Sequence, residues 1–350
     1  MLDYIIVGCG LAGISFAEQL ENNNRSFITI ADDSQNSSVI AAGLYNPVVL
    51  KRFTAVWNAQ MQLDLVSIFY HVIESKLNVK LDYKNRLFRK FTSIEEQNDW
   101  FAAADKNVLS NFLSTDLIKF VNDFIPNEFK FGEVLQSGYL DTALLVKSYK
   151  EYLLQENKLV FEAFDYGQLI ITDTMQYKGF QAKNIVFAEG FGIQNNPFFK
   201  NIPLDGTKGE LLIIRARDLK LKEIVKSAVF LIPLGNDLYK VGATYNREDK
   251  TNLPTEEAKE ELVSELNKLI TSSFEIVQHN AGIRPTVRDR RPLLGSHPNY
   301  KNMHILNGLG TRGVMLAPAM AADLFNCIEN DTPLNATINI KRFKKWYATI

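Results

Sequence analysis

The first fourteen residues, MLDYIIVGCGLAGI, constrain this chain most. Tyr4 to Val7 is a short apolar run of β type. It passes straight into Gly8-Cys9-Gly10-Leu11-Ala12-Gly13, and a helical pattern follows to Glu21. Strand, glycine turn and helix with G-x-G-x-x-G at the junction form a dinucleotide-binding arrangement. Gly8 permits the tight turn, Gly10 lets a pyrophosphate approach the backbone, and Gly13 lets helix and strand pack closely. The free N–H groups of the first helical turn then face the anion. Phe27 to Ala31 is a second apolar strand ending at Asp32. An acid about 20 residues beyond the glycines is where a ribose hydroxyl needs an acceptor. NAD, NADP and FAD all contain an ADP half, so this stretch alone leaves the cofactor open.

At 350 residues the chain is long enough for two lobes. Its 39 basic and 40 acidic residues give a formal charge of -1, which excludes a general attraction to nucleic acid or anionic membrane. Cys9 and Cys327 lie far apart, and the four histidines lack ligand spacing, so no metal site is expected. No apolar run reaches the ~20 residues of a membrane span. The first strand begins almost at Met1, leaving no room for a signal peptide, and the cytoplasm is the expected location.

Apolar residues from Val56 to Leu77 recur at helical spacing and predict one long helix from about Ala55. Asp141 to Gln155 reads as another, with Asp141 as its cap. Residues 79 to 135 alternate short β-type runs with polar segments in no legible order. Ile185-Val186-Phe187-Ala188 is a buried strand, followed by Glu189-Gly190. Leu211 to Arg215, Val229 to Pro233 and Leu238 to Ala243 are β-rich, with a hairpin turn at Gly235-Asn236-Asp237. Glu256 to Ile270 is helical. The pattern of the opening residues then recurs, as strand Met303 to Leu306, turn Gly308-Leu309-Gly310-Thr311-Arg312-Gly313, and a helix from Val314. Lys341 to Lys345 reads as a short solvated helix face. The expected fold is α/β. A discontinuous Rossmann-like dinucleotide-binding domain (1–78, 136–205 and 279–350) carries an inserted antiparallel β-rich substrate domain (79–135 and 206–278), and ligand sits where they meet.

The second glycine turn is the informative one. It offers another helix N-terminus, for which a nicotinamide enzyme has no special need. A flavin does, because its reduced ring carries negative charge near the pyrimidine carbonyl. Just upstream, GIRPTVRDRRPLLG places Arg284, Arg288, Arg290 and Arg291 within eight residues. Arginine holds carboxylates through a bidentate fork, so one of the four is expected to anchor a carboxylate, the others being structural.

Gly8 to Gly13 with Asp32, Ala188-Glu189-Gly190, GIRPTVRDRRPLLG and GLGTRGVMLAP together resemble the D-amino-acid-oxidase/glycine-oxidase superfamily of FAD enzymes. In motif they are most similar to glycine oxidase and to the flavin oxidase domain of the bifunctional enzyme that matures the wobble uridine of tRNA. The resemblance implies a Rossmann-like FAD domain with non-covalent FAD, since neither cysteine sits where a flavin bond would form. The cofactor-binding set it implies begins with Gly8, Gly10, Leu11, Ala12, Gly13, Asp32 and Asp33. It continues with the Ala41-Ala42-Gly43-Leu44 stretch beside the ring, Ala188, Gly190, and Gly310, Thr311, Arg312, Gly313 and Val314 at the flavin pyrimidine. It assigns Arg284 to the substrate carboxylate. Lys240 falls where sarcosine oxidases carry a lysine that helps activate oxygen. The implied reaction is oxidation of the C–N bond of a glycine-like or D-amino acid, with hydride passing to flavin N5 and water hydrolysing the imine. Oxygen or another acceptor would take the electrons. The alternatives are trimming of a carboxymethyl group on tRNA wobble uridine, and a flavin subunit of an electron-transfer complex without turnover.

Overall fold

In the computed structural model, which describes residues 1–349, the opening strand Leu2–Val7 lies inside an eight-stranded sheet. Five strands run parallel, in the order Leu159–Phe161, Phe27–Ala31, Leu2–Val7, Phe180–Phe187, Met303–Asn307. Antiparallel Leu293–Ser296 continues past the last of these, and Met175–Tyr177 pairs with the start of Phe180–Phe187. Tyr4 to Val7, Phe27 to Ala31 and Ile185 to Phe187 are buried and almost wholly apolar because both faces of the sheet are covered there. Tyr4 and Ile6 pack towards the helices Leu11–Asn22, Ala59–Leu77 and Gly313–Glu329, whereas Ile5 and Val7 pack with Phe187, Phe199 and Trp346. All five parallel strands end on one edge, where Gly8, Asp32, Ala188 and Gly308 follow. The chain leaves Leu2–Val7 on one side for Phe27–Ala31, and Phe180–Phe187 lies on the other. That reversal opens a crevice at the carboxyl ends.

A second, seven-stranded sheet stands over this edge. Its order is Glu275–Arg284, Thr207–Arg215, Leu238–Gly242, Phe230–Gly235, Ile224–Lys226, Leu87–Lys90, Phe131–Val134. Side chains alternate across it, as the strand period of two requires. Leu212, Ile214, Val225, Leu231 and Val241 cluster with Leu262, Leu266 and Leu269 of the covering helix Glu256–Leu269. Gly209, Leu211, Lys226 and Phe230 take the opposite face, towards the crevice.

Residues 79 to 135 supply two strands of this sheet and the helix Ile94–Ala104, which Ser93 Oγ caps by accepting from Glu96 N at 3.1 Å. Asp82–Lys84 joins Gly138–Leu140 and Leu44–Tyr45 in a small three-stranded sheet.

Three expectations are corrected. A boundary at 278/279 would cut Glu275–Arg284, whose ten residues run beside Thr207–Arg215 as one strand of the second sheet. The helix expected from Ala55 starts at Ala59, because Thr54–Ala55 pairs with Val48–Val49 and Val56 N donates to the Pro47 carbonyl. Lys341 to Lys345 is no single solvated face: Ile340 and Trp346 are buried, and the Arg342 guanidinium donates to Asp289 at 2.7 Å. Asp141 does cap its helix, accepting from Leu144 N at 3.0 Å. Among the described residues, no helix is long and apolar enough to cross a membrane.

Candidate functional site

The carboxyl edge of the parallel sheet and the inner face of the second sheet enclose a cavity of about 410 Å³. Both glycine turns open into it, Gly10, Leu11 and Ala12 from the first and Leu309 to Met315 from the second. The segment from Ile40 to Asn46 forms one wall. Arg284 and the crevice-facing residues of the second sheet form the roof.

In the first turn, Gly8 has φ +102°, and a Cβ there would stand 2.5 Å from the Ala188 carbonyl oxygen. A Cβ on Gly13 would stand 2.0 Å from the Gly8 carbonyl oxygen. Gly8, Gly13 and Ala188 therefore hold strand and helix together behind the cavity and do not line it. Gly10 is the N-cap of Leu11–Asn22 and brings no capping side chain. Leu11 N donates to Ser38 Oγ at 3.1 Å, and the first turn carries no acid. The positive end of that helix is open to an anion.

The second turn is held by Asn307. Its Nδ2 donates to the Gly190 carbonyl at 2.9 Å, and its Oδ1 accepts from Gly308 N at 2.7 Å. Gly190 and Gly310 have φ +57° and +56°, and a Cβ on either would meet no atom within 4 Å. Bare backbone thus faces open space at both. Arg312 is the N-cap of Gly313–Glu329, whose first turn also has no acid. Its guanidinium donates to the Asn46 carbonyl at 3.3 Å, and burial pushes its pKa down to about 10. A guanidinium on a helix N-terminus adds two positive potentials at one point.

Of the four clustered arginines, Arg284 alone lines the cavity. It ends its strand with its guanidinium over Gly209, where a Cβ would come within 1.9 Å of Nη2. Nη1 donates to the Lys208 and Thr244 carbonyls at 3.4 and 3.3 Å, and the Tyr245 ring lies 5.8 Å away. No carboxylate pairs with it among the described residues, and burial lowers its pKa. Arg288 is exposed, Arg291 lies over the Trp57 ring at 5.3 Å, and Asp289 is taken by Arg342.

Lys240 does not line the cavity. Its ammonium donates to the Ala41 carbonyl at 3.2 Å, behind the Ala41-to-Leu44 wall, and burial lowers its pKa. Gly43, at φ +74°, presses that wall onto Leu140, whose carbonyl oxygen a Cβ would approach to 1.9 Å. Asp32 and Asp33 also lie outside the lining. Asp32 accepts from Ser34 N and Oγ, and Asp33 pairs with Lys150 at 2.7 Å. Neither cysteine lines the cavity, and burial pushes the Cys9 thiol up to about 12.

Sequence reasoning missed Ser38, Tyr45, Gly209, Lys226, Phe230, Thr244 and Tyr245 in the lining. The β-rich run Leu211 to Arg215 signalled a strand, but its four consecutive apolar residues did not tell which face met the crevice. No Asp, Glu or His lines the cavity, while Arg284, Arg312 and Lys226 do. Two open helix starts, bare backbone and the Arg312 guanidinium at the second of them fit an elongated anionic cofactor. Among the described residues, no His, Cys, Asp and Glu cluster could hold a metal ion.

Glu189, beside Gly190, is buried and accepts from Tyr166 Oη at 2.5 Å and Asn196 Nδ2 at 2.9 Å. Burial raises its pKa to about 7 against those bonds. An acid with a raised native pKa stabilises the fold below its unfolded pKa, and that contribution disappears as pH rises through the native value. The chain should therefore lose about 3 kcal/mol of stability between pH 4.5 and 7 through this group. Glu189→Gln should flatten that part of a denaturation profile measured against pH.

The sequence matches a family described as DAO, FAD dependent oxidoreductase, over residues 3–326. It is 26% identical to glycine oxidase of Bacillus subtilis (strain 168) over 43% of this chain and 42% of that protein. It is 25% identical to the tRNA 5-methylaminomethyl-2-thiouridine biosynthesis bifunctional protein MnmC of Idiomarina loihiensis over 60% of this chain and 37% of that one. The alignments thus span about two fifths of these curated relatives. Among solved structures, glycine oxidase from Bacillus cereus superposes with a TM-score of 0.77 at 18% identity, covering 95% of this chain and 96% of that one. L-amino acid deaminase from Proteus vulgaris gives 0.78 at 13% identity, covering 98% and 97%. Two glycine turns opening on one cation-lined crevice, in a chain matched almost end to end, lead to one conclusion: the chain belongs to the DAO family of FAD-dependent oxidoreductases.

Proposed function

We propose that this enzyme oxidises the C–N bond of a small amine bearing a carboxylate, an N-substituted glycine or a D-amino acid. The observation that carries the reading is the unpaired Arg284 guanidinium, roofing the cavity into which both glycine turns open. In this reading Gly10 to Ala12 hold the pyrophosphate, the Ala41-to-Leu44 wall flanks the flavin, and the Gly310-to-Val314 helix start faces its pyrimidine. When bound, FAD supplies the acceptor for the hydride of the C–H beside nitrogen.

Arg284 uses only Nη1, in two long hydrogen bonds, so its remaining N–H groups are free to grip a carboxylate as a fork. Gly209 leaves the guanidinium room to lie against the sheet. A substrate held there has its α-carbon fixed relative to the second glycine turn, and this positioning is the main contribution asked of the protein. With no Asp, Glu or His in the lining, the amine enters neutral and its lone pair drives the hydride out. Water hydrolyses the resulting imine. Lys240, bonded to the Ala41 carbonyl, steadies the flavin-flanking wall.

Anaerobic mixing of the yellow protein with a panel of N-substituted glycines and D-amino acids tests the reading. Bleaching of the flavin supports it, and readmission of air reports whether oxygen serves as acceptor. If no carboxylated amine bleaches the flavin, the reading fails.

The likeness to MnmC over 60% of this chain favours a second reading, in which the carboxymethyl amine is carried on a tRNA base. A net charge of -1 argues against gripping RNA unaided. Bleaching by tRNA and by none of the small amines would establish the second reading over the first.

A further inference from the structure

The roof of the cavity carries a second cation that the reaction above does not use. Lys226 ends the strand Ile224–Lys226 and lines the cavity, while its neighbour Val225 points into the core on the other face. Its ammonium donates to the Ala228 carbonyl at 2.5 Å, within its own turn, and no carboxylate pairs with it among the described residues. The nearby Arg89 cannot share an anion freely, because its guanidinium is already engaged by Glu96 and the Ser227 carbonyl. Burial pushes the Lys226 pKa down to about 8, so a carboxylate beside it would restore the charged form.

Lys226 is also far from Arg284. Their strands are separated by Thr207–Arg215, Leu238–Gly242 and Phe230–Gly235. Four strand spacings of about 4.8 Å place the two backbones roughly 19 Å apart across the sheet. The register separates them further: Arg284 pairs with Thr207, whereas the row through Lys226, Phe230 and Gly242 meets Leu211. Long side chains bring both charges to one cavity, but their tips remain on the order of 10 Å apart. A part-buried cation bonded to a neutral carbonyl of its own turn and to no carboxylate is poorly compensated, and an anionic ligand would complete it.

We propose that the substrate carries a second carboxylate, at the far end of the amine's other substituent, and that Lys226 binds it. This rests on the reading in which Arg284 holds the first carboxylate. The substrate class becomes an extended amine with an anion at each end. The apolar stretch of roof between the two cations, Leu211 and Phe230, suits an alkyl or aryl spacer.

The test uses N-carboxymethyl amines whose second substituent grows in length and ends either in a carboxylate or in a carboxamide. Wild type should favour the acid by about tenfold or more in kcat/KM at the matching length. Lys226→Met should bring that ratio to about one, and Lys226→Arg should keep it. Removing a part-buried ammonium bonded to a carbonyl of its own turn and to no carboxylate should change Tm little, which separates a lost subsite from a lost fold. A second readout needs no turnover: perturbation of the flavin spectrum by alkane dicarboxylates, compared with monocarboxylates of equal length, in wild type and Lys226→Met. Equal handling of acid and amide at every length overturns the proposal. So does a preference that survives in Lys226→Met, or a Lys226→Met whose only change is weaker FAD binding. If none of the amines is turned over, the assigned reaction fails, and the spectral titration still decides the subsite.

Discussion

Replacing Arg284 by methionine should lower kcat/KM for a carboxylated amine by two to three orders of magnitude, mostly through KM, with FAD still bound. Losing one partner of a desolvated charge pair costs about 3–4 kcal/mol, and each 1.4 kcal/mol is tenfold. Methionine retains most of the volume but none of the donors, so the substrate carboxylate would sit unpaired against Gly209 and Tyr245. FAD should be retained because the glycine turns belong to other elements. Gly209→Ala should reproduce the defect without touching the arginine. Its Cβ would stand 1.9 Å from Nη2, inside a strand paired on both sides, so the guanidinium must move. Steady-state kinetics with the flavin-to-protein ratio measured alongside checks both.

Gly13→Ala should have the largest effect on the cofactor, with purified protein close to colourless. The added Cβ would stand 2.0 Å from the Gly8 carbonyl oxygen and 2.9 Å from its carbonyl carbon. Both are backbone atoms of the turn, so helix and strand must part. Severe core overpacking of this kind costs more than about 4 kcal/mol. Gly10→Ala provides the contrast. Its Cβ would meet Ser38 Oγ at 2.9 Å, and that hydroxyl can rotate away. The fold should survive, with FAD affinity reduced about tenfold or more because the methyl stands where backbone must meet pyrophosphate. Absorbance ratios and equilibrium FAD titration distinguish the two outcomes.

The parallel sheet was legible because its strands are continuous apolar runs bounded by glycine turns, as at Tyr4 to Gly8 and Met303 to Gly308. Those signals are local, and so are the helix caps at Asp141 and the periodicity of Ala59–Leu77. Residues 79 to 135 were opaque for the opposite reason. Leu87–Lys90 has four residues and owes its place to Ile224–Lys226, more than a hundred positions away, and no local pattern encodes that pairing. At the site, Arg284 was singled out among four arginines only through the family resemblance. The structure separates it physically, by Gly209 beneath it, by the exposure of Arg288, by the Trp57 ring under Arg291 and by Arg342 on Asp289. Lys226 escaped notice because one lysine in a three-residue strand looks like any edge lysine until the alternation across the sheet turns it inward.

The central claim is that Arg284 and the two glycine turns form one site, in which a carboxylate is held so that the adjoining C–N bond meets the flavin. The most direct measurement is the anaerobic rate of flavin reduction by a matched pair: the best N-substituted glycine of the panel, and the same amine with hydrogen in place of its carboxylate. At concentrations well below saturation, wild type should be reduced at least a hundredfold faster by the carboxylated amine, and Arg284→Met should lose most of that discrimination. Equal rates in wild type, or an undiminished preference in Arg284→Met, would contradict the account.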